Sequence, residues 1–194
     1  MNRMLAAFLF AVFVCAMPVS GSAQMGQSSA AGAAGPQAAA PVKDPVATSL
    51  RALLSRSRNN TLGAITAMPA DKFNYKPTAD QMTFAHLVVH IIGFNNAVCA
   101  KAADITEPKV EEVKESDSKE KLLAAATASY DFCAEALGKM DDSKLGDSIE
   151  IFGRQGPRAL ADLILVSGSA DHYADAAMYL RLNGILPPSA QPKK

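Results

Sequence analysis

Apolar residues recur at three- to four-residue spacing over four long segments of the chain, and strand-like alternation is nearly absent. The segments are rich in Ala, Leu, Lys and Glu, residue types that favour helix. We expect helices over about 45–68, 83–103, 118–139 and 158–183. The second segment is apolar on most sides, which is typical of a helix that contacts several others. Four helices of roughly twenty residues each predict an all-α fold, a four-helix bundle.

The ends of the helices carry capping patterns. Asp44 precedes Pro45, and proline suits the first helical position because no N–H is needed there. Asp117 can cap the third helix while Glu120 reaches back toward it, as in a capping box. Between the third and fourth helices, 149–153 is a short stretch that we expect to be extended.

The first 43 residues do not resemble part of a helical domain. Residues 5–16 form an almost unbroken apolar run, too short for a comfortable membrane span, and 19–23 are small residues that suit signal peptidase. We therefore predict a signal peptide over 1–23, a flexible linker over 24–43, a helical domain over 44–189 and a tail over 190–194. The protein is predicted to be exported, periplasmic or secreted, without a stable membrane anchor after cleavage.

Charge and cysteine content narrow the function further. Lys and Arg number 19 and Asp and Glu number 19, so cleavage after Ala23, which removes Arg3, leaves a net charge of −1. Such a balance gives no electrostatic footprint for nucleic acid. Cys15 leaves with the signal peptide, and Cys99 and Cys133 remain in an oxidising compartment. They predict a disulfide, with two buried thiols as the alternative.

The three histidines fall in two of the predicted helices. His86 and His90 are four residues apart and share a face of the second helix, while His172 lies in the fourth helix with Asp175 near the same face. If the two helices are neighbours, these side chains can supply the three N or O ligands of a zinc- or nickel-type site. The alternative is that they are hydrogen-bonded residues of the core or its rim. No nucleophile elbow and no Gly-rich phosphate loop is present.

Three segments resemble the DinB-like (YfiT-like) superfamily of metalloenzymes: MPADKFNYKPT at 68–78, FAHLVVHIIG at 84–93 and HYADAAMYLRLNGILPPS at 172–189. The resemblance covers 45–189. It implies an up-down-down-up bundle with a divalent metal held by one histidine of the second helix and two of the fourth, spaced His-x-x-x-His. His90 matches the first ligand and His172 the last. Characterised relatives include metal-dependent transferases and isomerases that use low-molecular-weight thiols.

The middle ligand position of that pattern is Gly168 in this chain. The missing side chain should leave a gap beside the site, and His86, Asp175 or water would have to replace the ligand. Two functions therefore stay open. One is a metal-dependent transferase or hydrolase acting on a small molecule or thiol. The other is a non-catalytic bundle that binds a small ligand or a protein partner.

Overall fold

The computed structural model describes residues 40–192. The predicted signal peptide, most of the predicted linker and the last two residues of the tail lie outside the described residues. Within these residues there are four long helices, and their ends lie close to the predicted ones: α1 at Pro45–Ala67, α2 at Phe84–Ala103, α3 at Lys119–Gly138 and α4 at Arg158–Leu182. The predicted all-α class is confirmed.

The helices α2 and α3 pack side by side and run in the same direction. The Asn95 amide donates a hydrogen bond to the Ser129 hydroxyl at 3.1 Å. One turn further along both helices, Cys99 and Cys133 form a disulfide whose Cα atoms are 5.3 Å apart. Because both links advance together along the two helices, the helices are parallel. Both cysteines are fully buried, so the disulfide ties the two helices together within the core.

The helix α1 runs antiparallel to α3. Near the middle of both helices, Arg58 pairs with Asp131 at 2.8 Å. Lys119, at the start of α3, donates to the carbonyl of Met68 just beyond the end of α1 at 2.7 Å. The long α2–α3 connection allows this order, since a parallel pair cannot be joined by a tight turn.

The helix α4 runs antiparallel to α2. The Tyr179 hydroxyl, near the end of α4, donates to the Met82 carbonyl just before α2 at 2.6 Å. At the opposite ends, the Arg158 guanidinium donates to the Ala102 carbonyl at 3.4 Å. The helix directions are therefore up, down, down and up in chain order, with α1 and α4 parallel neighbours. The core between them contains large apolar side chains from all four helices, among them Ile65, Phe84, Leu87, Ile91, Leu122, Tyr130, Leu137, Leu165 and Leu180.

A small hairpin separates α3 from α4. Its strands are β1 at Ser148–Ile151 and β2 at Arg154–Pro157, paired antiparallel. The predicted extended stretch 149–153 is therefore only partly extended, because Phe152 and Gly153 form the turn with φ of 49° and 74°. Short 3₁₀ turns lie at Ala70–Lys72, Asp142–Lys144 and Pro188–Ala190. Across residues 40–192, no helix has both the length and the apolar character to cross a membrane.

The N-cap position of α1 is predicted correctly, but the expected side-chain capping hydrogen bond is not formed. Asp44 is the N-cap residue, with φ of 47°, but its side chain accepts no capping hydrogen bond from the helix. The carboxylate of Asp142 does so instead, accepting from the N–H groups of Val46 at 2.9 Å and Ala47 at 2.8 Å. The cap comes from a residue 95 or more positions away, so local sequence could not identify it.

The predicted cap of α3 is displaced by one residue. Ser118 is the N-cap, and its hydroxyl accepts from the Lys121 N–H at 3.2 Å. Asp117 accepts from the N–H of Lys114 at 2.9 Å, which orders the turn before the helix. Glu120 therefore lies at the second helical position, and the predicted capping box is not formed.

Candidate functional site

His90 and His172 face each other across the groove between α2 and α4. Their ring centroids are 4.8 Å apart and the rings are nearly perpendicular, at 88°. His90 is exposed and His172 is half-buried. The two histidines that the resemblance matches to metal ligands therefore lie together, at a partly exposed place between α2 and α4.

Two local features set the register that brings the rings together. Thr83 caps α2, since its hydroxyl accepts from the His86 N–H at 2.9 Å. Tyr179 is buried near the end of α4, tilts against Phe84 with ring centroids 5.8 Å apart, and bonds to Met82 next to that cap. The start of α2 is thus tied to the end of α4, and helical spacing from these contacts places His90 opposite His172.

Gly168 lies one turn before His172, and the space beside it is filled. A Cβ atom added at Gly168 would collide with Cζ of Phe94 and would lie 2.9 Å from Cε2. The Phe94 ring also packs edge-on against His172, with centroids 4.7 Å apart and an angle of 90°. The expected gap is therefore absent: Phe94, one turn after His90 on α2, occupies the place of a third side chain.

The environment of His172 favours its neutral form. Burial lowers the pKa of the His172 imidazole below its ordinary value, and the neighbouring His90 lowers it further. The carboxylates of Asp175 and Asp171 oppose this shift without cancelling it. A neutral imidazole can use a ring nitrogen to bind a metal or to accept a proton, so His172 can still act as a ligand or a base.

His86 faces away from this arrangement, toward the α2–α3 connection. Its Nδ1 lies 3.7 Å from the Glu115 carboxylate, and both side chains are more than half exposed. The same carboxylate accepts from the Thr83 hydroxyl at 2.9 Å. The interactions of His86 are therefore those of a polar cluster at the start of α2.

The donor set does not fit a three-ligand metal centre. Within residues 40–192, no three His, Cys, Asp or Glu side chains form a group that could hold a metal ion. Asp175 is exposed and influences His172 only through its charge. Neither His86 nor Asp175 thus completes the pair in this arrangement, and two imidazoles beside a phenyl ring remain.

The role of Phe94 was not recognised from the sequence. Phe94 has the i, i+4 relation to His90 that His86 has on the other side, so it belongs to the same helix face. Gly168 offered a signal, because a glycine in the interior of a helix costs stability and often marks a close approach. The helix face of Phe94 and the glycine at position 168 are thus the two sequence features that indicate this contact.

An up-down-down-up bundle whose second and fourth helices carry facing histidines is the architecture that the sequence resemblance implies. The family model for the DinB superfamily matches residues 53–169. The chain belongs to the DinB superfamily. The matched range contains His90, Phe94 and Gly168 and ends just before His172.

Solved structures agree with this assignment at the level of the fold. A DinB-like protein from Bacillus subtilis matches with a TM-score of 0.62 and 19% identity, covering 75% of this chain and 99% of that one. A DinB-like protein from Bacillus cereus matches with a TM-score of 0.61 and 15% identity, covering 73% and 95%. A comparison with curated proteins gives no match. At these identities the likeness concerns the fold alone.

Proposed function

We propose that this protein is an exported, non-catalytic member of the DinB superfamily that binds a small ligand. In this proposal the histidine groove has lost the three-ligand metal centre that the resemblance implies. The observation that carries the loss of the metal centre is the Phe94 ring packed over Gly168, where a third ligand would stand.

The physical argument concerns the number of ligands and the access to them. Catalytic zinc sites use three protein ligands and keep one position open for water or substrate. Here two imidazoles remain, and the phenyl ring that touches His172 supplies no donor atom. An ion on two imidazoles would complete its shell with water, and the apolar ring edge excludes water from one side. We therefore expect this pair of histidines to bind zinc or nickel weakly.

The test combines two substitutions at the same contact. Zinc and nickel affinities are measured by calorimetry on protein without a histidine tag, for the natural chain, Gly168→His, Phe94→Ala and the double variant. Gly168→His alone should gain little, because its side chain collides with Phe94 unless the ring moves. The double variant should bind most tightly, since it restores a ligand and clears its space.

Phe94→Ala is the matched control, because it opens the same space without adding a ligand. Tight stoichiometric binding by the natural protein, lost in His90→Ala and in His172→Ala, would overturn the proposal. A double variant that folds normally but binds no better than the natural chain would show that the groove has lost more than one ligand.

A second candidate is a metal-dependent transferase or hydrolase that acts on a thiol. The facing imidazoles and the lowered pKa of His172 favour it. His90 and His172 would then hold the zinc or nickel ion, which would lower the pKa of a bound thiol as it does that of water. Turnover of a low-molecular-weight thiol that rises with added zinc and is lost in His172→Ala would favour this candidate.

Export is supported by the disulfide between Cys99 and Cys133. Stable disulfides occur in oxidising compartments and are rare in the cytosol. The two sulfur atoms lie in the core of the bundle, so this bond is part of the fold. Mass spectrometry of the protein from fractionated cells tests the proposal. A chain in the exported fraction that begins at Gln24 is expected, and an uncleaved cytoplasmic chain with reduced cysteines would contradict it.

A further inference from the structure

A cavity lies between α1 and α4, away from the histidines. Its volume is about 300 Å³, at the lower end of the usual range for small-molecule sites. Leu50 and Leu54 of α1 and Leu165 of α4 form part of its wall. Neither His90 nor His172 is among its lining residues. The cavity is therefore a separate place on the bundle from the groove that matches the family site.

The cavity has an apolar half and a polar half. Along α1 its lining changes from leucines at 50, 53 and 54 to Arg56, Ser57 and Asn60. Along α4 it changes in the same order, from Leu165 and Val166 to Ser169 and Tyr173. Because α1 and α4 are parallel, both polar halves lie at the same end. The cavity is thus amphipathic along its length.

Ser169 supplies a buried polar group without a partner. The residue is 6% exposed, and its hydroxyl oxygen forms no hydrogen bond within the described residues. A buried hydroxyl without a partner costs free energy, and the helical serine does not bond to the preceding turn here. Ser169 lines the cavity, but its hydroxyl oxygen is itself shielded from solvent. Because the hydroxyl has no partner to lose, rotation about the Cα–Cβ bond can turn it toward a ligand that enters there.

Arg56 supplies a positive charge at the same polar end. It is exposed, and no carboxylate lies within ion-pair distance of it in the part of the chain that the structure describes. Of the residues that line the cavity, Arg56 alone carries a charge. An anion is therefore the complementary group for this end, and a guanidinium binds a carboxylate with paired hydrogen bonds.

The polar end is closed by the chain's C-terminal segment. The Tyr173 hydroxyl donates to the Ser189 hydroxyl at 2.7 Å and accepts from the Ser189 N–H at 2.9 Å. Pro188 packs on Gly63, where an added Cβ would be only 2.9 Å from Cγ of the proline. The C-terminal segment, held by these contacts, therefore bounds the cavity at its polar end.

We propose that this cavity binds a small amphipathic carboxylate, of the medium-chain fatty-acid class, with its carboxylate on Ser169 and Arg56 and its alkyl chain on the leucines. The proposal rests on the proposed function, because it names the ligand class of a non-catalytic binding protein. Both residues line one small cavity, and the proposal places a single carboxylate between them. The volume of about 300 Å³ suits a short alkyl chain.

The experiment compares three probes of the same chain length: octanoate, 1-octanol and octylamine, all below their aggregation concentrations. Binding to the purified protein is measured by calorimetry with a chelator present, so that metal at the histidines plays no part. Octanoate should bind saturably and at least about tenfold more tightly than the alcohol or the amine, because it alone gains charge-assisted hydrogen bonds.

Variants of the polar end test the assigned contacts. Arg56→Gln should weaken octanoate about tenfold and leave octanol unchanged. Ser169→Ala should also weaken octanoate, yet raise the melting temperature of the ligand-free protein, because it removes an unpaired buried hydroxyl. Arg154→Gln is the matched control, an exposed arginine of the hairpin with no part in the cavity.

A blocking variant tests whether the ligand occupies this cavity. Ala170→Phe places a ring in the cavity and should abolish octanoate binding. Ala174→Phe, one turn along α4 and outside the cavity lining, should not. Equal affinity for octanoate and octanol, or octanoate binding unaffected by Arg56→Gln and Ala170→Phe, would overturn the proposal. So would a dimer of the natural chain that Ala170→Phe dissociates, because the cavity would then be an interface.

The two proposals fail in different ways. If His172→Ala abolishes octanoate binding and Ala170→Phe leaves it unchanged, the ligand binds in the histidine groove. That result would overturn this inference alone. Tight zinc binding by the natural chain would overturn the proposed function, whatever octanoate does. Absence of any saturable octanoate binding would overturn the inference and leave the metal measurement to decide the function.

Discussion

Replacing Asp162 by asparagine should stabilise the protein near neutral pH and have little effect in mild acid. Asp162 lies in the second turn of α4 and is 3% exposed. Neither carboxyl oxygen has a hydrogen-bond partner within the described residues. Arg158, one turn earlier, is already directed to Asp104 at 3.1 Å and Asp147 at 3.7 Å. The Asp162 carboxylate is thus a buried charge without a close partner.

The size of the effect follows from the pKa. Burial raises the pKa of Asp162 from 3.8 to about 6, the positive charge of Arg158 opposes the shift, and the negative charge of Asp142 adds to it. The folded state therefore holds a proton that the unfolded state releases between these two values. The contribution of this proton to the free energy of unfolding is fully present below pH 3.8 and is lost as pH rises through about 6. At 1.36 kcal/mol per unit, the loss is about 3 kcal/mol at most.

Urea unfolding of the natural protein and Asp162→Asn at several pH values between about 4 and 7 measures this difference. Asparagine keeps the shape of the carboxyl group and does not titrate, so other groups cancel in the comparison. The variant's advantage should grow with pH up to about 3 kcal/mol and then level off. Asp80→Asn, in an exposed loop, is the control. An advantage that does not change with pH would refute the argument from burial.

Three further predictions concern stability and ionisation. Replacing Cys99 and Cys133 by alanine should cost about 3–4 kcal/mol in urea unfolding, because the disulfide closes a loop across a sequence separation of 34; no loss of stability would contradict this. The His172 ring should titrate below its ordinary pKa of 6.5 by NMR, and His90→Ala should raise that pKa. An unchanged titration would show that the rings are not neighbours in solution. Asp142→Ala should cost about 1 kcal/mol, since it uncaps two N–H groups of α1; an unaltered melting temperature would argue against this cap.

Helix content and fold class could be predicted because they depend on local pattern. The apolar spacing within 84–103 and 119–138 forces those segments to bury one face or more, and helix satisfies their backbone groups wherever the partners lie. The family resemblance added the order of the helices. Caps were predicted less well. Ser118 and Asp117 are adjacent and both suit the position, so sequence could not choose between them. The cap on α1 comes from Asp142, which no local pattern connects to residue 46.

The sequence by itself identified the candidate residues: three histidines on two helices, Cys99 and Cys133, and a glycine at the position where the resemblance implies a metal ligand. Only the tertiary structure decided what surrounds them. Whether the gap at Gly168 is empty depends on the register of α2 against α4, and that register brings Phe94 over the glycine. The amphipathic cavity has the same origin, because the polar residues of α1 and α4 meet at one end only if the two helices run parallel. Side chains on different helices share a site only through the packing of the whole bundle.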